Sequence, residues 1–401
     1  MSIGGFSKAR LERLSTAMRG YVDRGELAGA VTLLSRHDEV HVAAVGMQDL
    51  ADGTPMQRDT IFRIASMTKP MTAAAAMILV EEAKLRLDEP VDRLLPELSD
   101  RRVLRAIDGP LDDTVPANRA ITLRDLLTFR LGLGAVMAPP GRYPIQQAIT
   151  EAGLAPGPNP PPFTPDEFLR RFATLPLIHQ PGDQWMYHTG SDLLGVLIAR
   201  AAGMELADFL QHRLFALLGM NDTGFSVPEP KLDRLATAYQ VDTGTGRLAV
   251  YDEARGGQWS HPPAFQSAGG GLVSTADDCL AFARMLLRRG RHGADRVLAR
   301  PTVALMMTDQ LSQQQKAASP FFPGFWDTNG WGFGGSVVTR RSNLGPSIGS
   351  YGWIGGFSTG CYSDPQEDMV AILLTQRVMS RPAPENFFTD FWTLAYQAID
   401  D

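Results

Sequence analysis

Segments with the pattern of β-strands lie near both ends of this chain, and helical patterns fill the long stretch between them. Residues 28–35 and 40–45 are rich in Val, Leu and Ala on either side of a polar turn, which predicts a β-hairpin. Residues 351–362 and 368–375 have the same texture, and the polar turn at 363–366 predicts that they pair as antiparallel strands. Together these segments indicate one sheet that is assembled from both ends of the chain.

Helical patterns with recognisable ends occupy much of the remaining sequence. Residues 7–24 place apolar side chains at helical spacing, and Gly25 follows as a stop. A further short strand is predicted at 330–334. The later predicted helices are 123–130 (opened by Thr122 and Asp125), one opened by Thr164, Pro165 and Glu167, 190–203, 205–218, one capped at 274–278 and running through Leu287, and 387–399.

Nine prolines lie between residues 138 and 165, so this segment is predicted to be a stiff loop. Such a loop is either a linker between independent domains or the wall of a cleft. At 401 residues the chain can bury a sizeable core, in one large domain or in two. The order of the elements predicts an α/β sandwich domain built from residues 1–85 and 325–401, and a mostly helical domain from residues 86–324.

Composition excludes several classes of function. The net charge of −6 offers no basic field, so we expect neither nucleic acid nor a membrane as a partner. The two cysteines give no disulfide framework, and no Cys/His spacing or H-E-x-x-H motif predicts a metal site. No phosphate-binding glycine loop is present, so no cofactor is expected. The N-terminal residues lack the pattern of a signal peptide, which makes a cytoplasmic enzyme the expectation.

The candidate chemistry lies in Ser66-Met67-Thr68-Lys69, at the start of an Ala-rich apolar stretch that predicts a helix. Residues three apart share a helix face, so the Lys69 amine can reach the Ser66 hydroxyl. A desolvated lysine can take the proton of a serine and make it a nucleophile. The alternative is a capping serine beside a solvated lysine, but a lysine at the mouth of a buried helix argues against it.

Two other serines, Ser347 and Ser358, match the G-x-S-x-G pattern of a nucleophile elbow. That elbow requires a helix after the serine and a histidine later in the chain. Neither serine is followed by a predicted helix, and the last histidine is His292. We therefore interpret both as ordinary residues of Gly-rich strands and turns.

Three motifs in the right order resemble the serine β-lactamase and penicillin-binding-protein superfamily. Residues 66–70 (SMTKP) resemble its first motif, and Tyr187-His188-Thr189 resembles the Tyr-x-Asn motif of class C β-lactamases. Trp353-Ile354-Gly355 resembles the Trp-x-Gly variant of family VIII carboxylesterases. The resemblance implies an α+β, β-lactamase/transpeptidase-like fold, with an antiparallel sheet flanked by helices, a mostly helical domain, and the active site in the cleft between them.

The resemblance also implies a role for each motif. Ser66 would be the nucleophile, and Lys69 and Tyr187 would handle its proton, with either one as the resting base. The backbone N–H groups of Ser66 and Gly356 would form the oxyanion hole. Trp353, Thr189 and Gly355 would contact the substrate.

The implied function is a serine hydrolase that cleaves small-molecule carboxylic esters through an acyl-Ser66 intermediate. Alternatives within the superfamily are an acyltransferase, an amidase or D-aminopeptidase, or a weak β-lactamase. An alternative of another class is a catalytically silent binding protein. Two departures from the motifs, Thr189 in place of Asn and Trp353 in place of Lys or His, favour neutral esters over penicillins.

Overall fold

A computed structural model describes residues 2–381 and 385–401 of the chain. Its centre is a seven-stranded sheet in which every neighbouring pair is antiparallel. The strands are β1 Gly29–Arg36, β2 Glu39–Gly46, β3 Asn329–Trp331, β4 Ser336–Val338, β5 Tyr351–Gly355, β6 Thr359–Asp364 and β7 Met369–Thr375. Their spatial order is β3-β4-β5-β6-β7-β1-β2. The single sheet from both ends of the chain is thereby confirmed.

The described residues also form thirteen α-helices. In order they are α1 Lys8–Asp23, α2 Thr68–Glu81, α3 Leu123–Leu127, α4 Pro144–Glu151, α5 Pro165–Ala173, α6 Thr189–Ala202, α7 Leu206–Leu210, α8 Ala216–Leu218, α9 Ala276–Leu287, α10 Arg300–Met306, α11 Gln313–Ala318, α12 Phe325–Thr328 and α13 Asn386–Gln397. A π-helical segment, Gln211–Phe215, joins α7 to α8. Within the described ranges, no helix is both long and apolar enough to cross a membrane.

Helices cover both faces of the sheet, and this explains why strands β1 and β7 are buried along their whole length. Every residue of β1 and β7 is buried, as expected for strands packed on two sides. Helices α1 and α13 pack together over one face. Helices α2 and α9 lie over the other face and contribute to the main core. The domain boundaries at residues 85/86 and 324/325 stay a prediction.

Three local predictions were wrong in instructive ways. The proline-rich segment contains α4, because Pro144 occupies the first helical position, where its missing N–H costs nothing. The predicted strand 351–362 is two strands, β5 and β6, joined by a tight turn in which Ser358 has φ +56°. The helix opened by Thr122 ends at Leu127 rather than Arg130, since Phe129 has φ +58°.

Candidate active site

Ser66 lies in a short 3₁₀ turn, Ala65–Met67, immediately before α2. Ala65 has φ +43°, a left-handed conformation that is costly for a residue with a side chain. Two hydrogen bonds hold this turn, one from Thr68 Oγ1 to the Ala65 carbonyl (2.6 Å) and one from Thr359 Oγ1 to the Ile64 carbonyl (3.1 Å). The turn is therefore fixed against the sheet, and the half-buried Ser66 lines a cleft.

Lys69 follows one turn later and is almost completely enclosed, with 1% of its surface exposed. Its Nζ lies 2.8 Å from Ser66 Oγ and also donates to the Gly269 carbonyl. Burial lowers the pKa of the Lys69 amine to about 7, and the charge of Asp192 opposes this shift. A large fraction of Lys69 is therefore a neutral amine near neutral pH, within reach of the Ser66 proton.

Tyr187 approaches the same two residues from a loop. The Lys69 Nζ lies 4.6 Å from the centroid of its ring, and the indole Nε1–H of Trp353 donates to its hydroxyl at 2.7 Å. Burial raises the pKa of Tyr187 to about 12, and hydrogen bonds from Ser66 and Trp353 act in the opposite direction. Tyr187 is therefore a protonated phenol at neutral pH, so that Lys69 rather than Tyr187 fits the description of a resting base.

His188 and Asp192 complete the surroundings of Lys69, and sequence reasoning missed both. His188 Nδ1 lies 3.2 Å from Lys69 Nζ, and its Nε2 lies 3.1 Å from Asp192 Oδ2. Asp192 Oδ1 accepts hydrogen bonds from Ser267 Oγ (2.8 Å) and from the Gly269 N–H (2.9 Å). The signal in the sequence was the i, i+4 spacing of His188 and Asp192 at the start of a predicted helix, although in the structure His188 precedes the first residue of α6.

Charge and burial set the protonation of this pair. Burial and the nearby Lys69 charge lower the pKa of His188, against the effect of Asp192. Burial alone would raise the pKa of Asp192, but the charge of His188 and hydrogen bonds from His188, Ser267 and Gly269 outweigh it and lower the pKa. At neutral pH the pair is therefore a neutral imidazole bonded to a carboxylate.

The end of β5 passes directly beside the Ser66 turn. A Cβ on Gly355 would collide with Thr359 Oγ1 and with the Ile64 carbonyl, so only glycine allows this approach. A Cβ on Gly356 would meet nothing within 4 Å, because this residue faces the cleft. The structure thus brings Gly355 and Gly356 to the cleft that Ser66 lines, and the oxyanion-hole role of Gly356 stays a prediction.

The cleft has a volume of about 410 Å³ and a largely apolar lining. One wall belongs to the proline-rich segment, through residues 156–158, which agrees with the cleft-wall interpretation of that segment. Phe321, Phe322 and Ile354 form much of another wall. The cleft is within the size range of sites for small organic ligands.

Trp353 and Thr189 stand where the family motifs have Lys or His and Asn, and the two differ in their position relative to the cleft. Trp353 lines the cleft but is only 3% exposed, packs edge-on against Trp331, and commits its N–H to Tyr187. Its indole nitrogen is therefore not free for a substrate. Thr189 begins α6 and is buried outside the lining of this cleft, and His188 faces Lys69 instead.

The other two candidate serines are far less suited to nucleophilic chemistry. Ser347 and Ser358 are 1% and 2% exposed. Among the described residues, neither hydroxyl has a hydrogen-bond partner, so no base can take its proton. The geometry agrees with the interpretation of both as structural residues.

Sequence comparisons place these residues in a wider context. The family model described as "Beta-lactamase" matches residues 14–390. Protein Rv1367c of Mycobacterium tuberculosis is 42% identical over 372 residues, which cover 91% of this chain and 90% of the relative. Esterase EstB of Burkholderia gladioli is 31% identical over 370 residues, covering 87% and 86% of the two chains.

Solved structures resemble the whole molecule. EstCE1, described as a hydrolase with promiscuous acyltransferase activity, has a TM-score of 0.80 and 26% identity, covering 98% of this chain and 99% of that one. A LovD6 mutant of simvastatin synthase from Aspergillus terreus has a TM-score of 0.78 and 25% identity, covering 99% and 98%. The β-lactamase/transpeptidase-like fold that the motifs imply is confirmed.

Proposed function

Since this chain belongs to the beta-lactamase family and is a serine ester hydrolase of that fold, we propose that it cleaves neutral carboxylic esters through an acyl intermediate on Ser66. One observation carries the assignment of the nucleophile. Ser66 lines a cleft sized for a small molecule, and its Oγ lies 2.8 Å from the amine of the buried Lys69. A serine needs such an adjacent base before it can attack a carbonyl carbon.

In the acylation step, neutral Lys69 takes the proton of Ser66 while Oγ forms a bond to the ester carbonyl carbon. The backbone N–H groups of Ser66 and Gly356 stabilise the negative charge that develops on the carbonyl oxygen. As the bond to the leaving alkoxide breaks, Tyr187 gives its phenolic proton to that alkoxide and recovers one from the Lys69 ammonium. Water then attacks the acyl carbon by the reverse proton path, which releases the acid and regenerates Ser66.

The apolar lining of the cleft supports an uncharged substrate. Its walls include Met137, Phe321, Phe322, Ile354 and Val378, side chains that favour acyl chains and aromatic groups. A lysine at position 353 would offer a cation to a carboxylate, but Trp353 offers only the edge of an indole whose N–H is engaged. We expect short to medium neutral esters to be better substrates than cephalosporins.

Acyl transfer is the second candidate, and the relatives favour it. EstCE1 combines both activities in its description, and monacolin J acid methylbutanoyltransferase of Aspergillus terreus is 34% identical over 206 residues, half of this chain. The same acyl-Ser66 intermediate would then pass its acyl group to an alcohol. Measuring product esters from nitrophenyl butyrate in the presence of small alcohols separates the two outcomes.

The deciding experiment for the function is intact-protein mass spectrometry after brief exposure to nitrophenyl butyrate. We expect the mass of one butyryl group on the wild-type chain, located on Ser66 by peptide mapping. Ser66→Ala should show no adduct and no esterase activity. Ser347→Ala, which removes another buried hydroxyl, is the matched control and should be acylated normally. Persistent turnover by Ser66→Ala would overturn the proposal.

A further inference from the structure

The hydrogen bonds around Lys69 close into a ring that the three family motifs do not account for. Lys69 Nζ contacts His188 Nδ1, His188 Nε2 contacts Asp192, and Asp192 accepts the N–H of Gly269. The carbonyl of the same Gly269 accepts from Lys69, which completes the ring. Every member of the ring therefore has its orientation fixed by two others.

The ring determines the tautomer of His188. Asp192 is a carboxylate and can only accept, so Nε2 of His188 carries the proton and donates it. A neutral imidazole with its proton on Nε2 has a lone pair on Nδ1. His188 Nδ1 therefore accepts a hydrogen bond from Lys69 Nζ, as the Gly269 carbonyl oxygen does.

Counting donors then fixes the direction of the Lys69 lone pair. A neutral amine has two N–H donors and one lone pair, whereas an ammonium has three donors. Lys69 Nζ has three neighbours in reach: His188 Nδ1 and the Gly269 carbonyl, which only accept, and Ser66 Oγ, which can also donate. With both N–H groups engaged by the two obligate acceptors, the lone pair of the neutral amine points at the Ser66 proton.

Local backbone strain holds His188 in this place. His188 has φ +82° and ψ −65°, and the Thr189 N–H donates to the Tyr187 carbonyl at 3.2 Å. These are the features of a γ-turn, which is rare and strained for a residue with a side chain. The turn brings the rings of Tyr187 and His188 to within 5.9 Å of each other, and each ring contacts Lys69 from its own side.

We propose that His188 and Asp192 are positioning residues that aim the lone pair of Lys69 at the Ser66 hydroxyl and stabilise the ammonium once it forms. This inference rests on the proposed function, because it assigns Lys69 as the base for Ser66. His188 itself neither attacks the ester nor keeps the proton. Its contribution is the Nδ1 acceptor, and that of Asp192 is to hold the tautomer and supply a nearby negative charge.

Among the described residues few titratable groups face Lys69, so a change in the pH profile can be assigned to a small number of side chains. His188 and Tyr187 face it from the loop, and Asp192 faces it from α6. The segment 267–271 contributes only hydroxyl and backbone groups. Removing the Nδ1 acceptor or the Asp192 charge makes the ammonium less favourable, so the acid limb of kcat/KM should move to lower pH.

Two substitutions of His188 separate its acceptor from its bulk. His188→Phe keeps a ring but removes the acceptor, and we expect kcat to fall about 30-fold, less than the roughly hundredfold or greater effect of a general base because Lys69 itself is retained, with KM changed by less than about threefold. His188→Asn places its amide oxygen near the former Nδ1 and tolerates a positive φ, so kcat should return to within about fivefold of wild type. Asp192→Asn should move the acid limb to lower pH with a smaller loss of kcat.

Rates are expressed per Ser66 titrated with a fluorophosphonate, so unfolded protein does not enter the result. His41→Phe is the matched control, because it removes another half-buried imidazole, on β2, separated from β5 by three strands. It should leave kcat and the pH profile unchanged. Equal losses in His188→Phe and His188→Asn, or an unchanged profile in His188→Phe and Asp192→Asn, would overturn the inference. Activity that survives Ser66→Ala would instead overturn the proposed function.

Discussion

Two of the five lysines in this chain are buried, and they are held in opposite ways. Lys316, on α11, is 4% exposed and forms an ion pair with Asp309. Lys69 is more deeply buried, but its direct contacts are neutral: a hydroxyl, an imidazole and a carbonyl. The Asp192 carboxylate contacts His188 rather than Lys69, and its charge raises the pKa of Lys69 without a direct hydrogen bond.

The comparison shows that the effect of burial on a lysine depends on whether the group in contact with its amine is charged or neutral. A carboxylate in direct contact compensates the positive charge of a buried ammonium, and the ion pair then has a structural role. Asp309 also accepts the N–H groups of Leu311 and Trp331, so that this ion pair fastens the segment before α12 to β3. With neutral groups in direct contact, burial lowers the pKa of Lys69 to about 7, so that the neutral amine required by the proposed base is populated near neutral pH.

The largest effect should come from Lys69→Met. Loss of the base should lower kcat/KM for nitrophenyl butyrate by about a thousandfold or more, at the upper end of general-base contributions. Tyr187→Phe should cost nearly as much, and the double variant little more than the worse single, because residues that act as a unit are not additive. Additive losses in steady-state kinetics would show that Tyr187 works independently of Lys69.

The second effect is on stability and concerns Lys316→Met. Removing one partner leaves Asp309 without its cation, so urea unfolding should show a loss of about 3 kcal/mol, while kcat per titrated Ser66 stays within about twofold. Lys84→Met, at an exposed lysine, is the control and should change stability by less than about 0.5 kcal/mol. A large loss of kcat in Lys316→Met would show that Lys316 also contributes to catalysis, which contradicts the purely structural role expected for it.

The third test is the pH profile of the wild-type protein. Lys69 must be neutral to accept the Ser66 proton, and its pKa is lowered to about 7. Activity is therefore present above that pH and lost below it, with kcat/KM falling about tenfold per unit of pH. Asp192→Asn displaces this limb if the charge of Asp192 raises the pKa of Lys69. A profile that is flat from pH 5 to 8 would contradict the assignment of Lys69 as the base.

The smallest effect should follow from Trp353→Phe, which removes the hydrogen bond to the Tyr187 hydroxyl. A single such bond contributes about 1 kcal/mol, so kcat should fall about fivefold. Trp185→Phe is the control, since its indole nitrogen has no partner among the described residues. If both variants lose the same activity, packing of the aromatic cluster rather than the hydrogen bond explains the loss.

Much of this architecture could be predicted because its signals are local. Thr122 and Asp125 form the capping box that their spacing predicts, and the hairpin of β1 and β2 lies within one residue of its predicted ends. The motif residues Ser66, Lys69 and Tyr187 are brought together in one cleft, although their roles stay a proposal. Periodicity, capping and motif spacing are properties of short segments, so the sequence displays them directly.

The errors arose where tertiary contacts override local pattern. The break between β5 and β6 depends on a positive φ at Ser358 that no propensity requires of a serine. The sequence gives His188 no role beyond the middle position of the Tyr187-His188-Thr189 motif. The neighbouring Lys69 lies 119 residues earlier in the chain, and the packing of α2 against α6 together with the strained turn at His188 brings the two side chains into contact.

The pairing of β7 with β1 has a consequence for the synthesis of this protein. During translation, Ser66, Lys69, Tyr187 and His188 all leave the ribosome before any residue of β5 to β7 exists. The proton-handling groups are thus made long before Gly356, and β1 waits for a partner strand that begins at Met369. A nascent or C-terminally truncated chain without these strands lacks the Gly355–Gly356 segment beside the Ser66 turn, so the proposed active site is complete only when the last strands close the sheet.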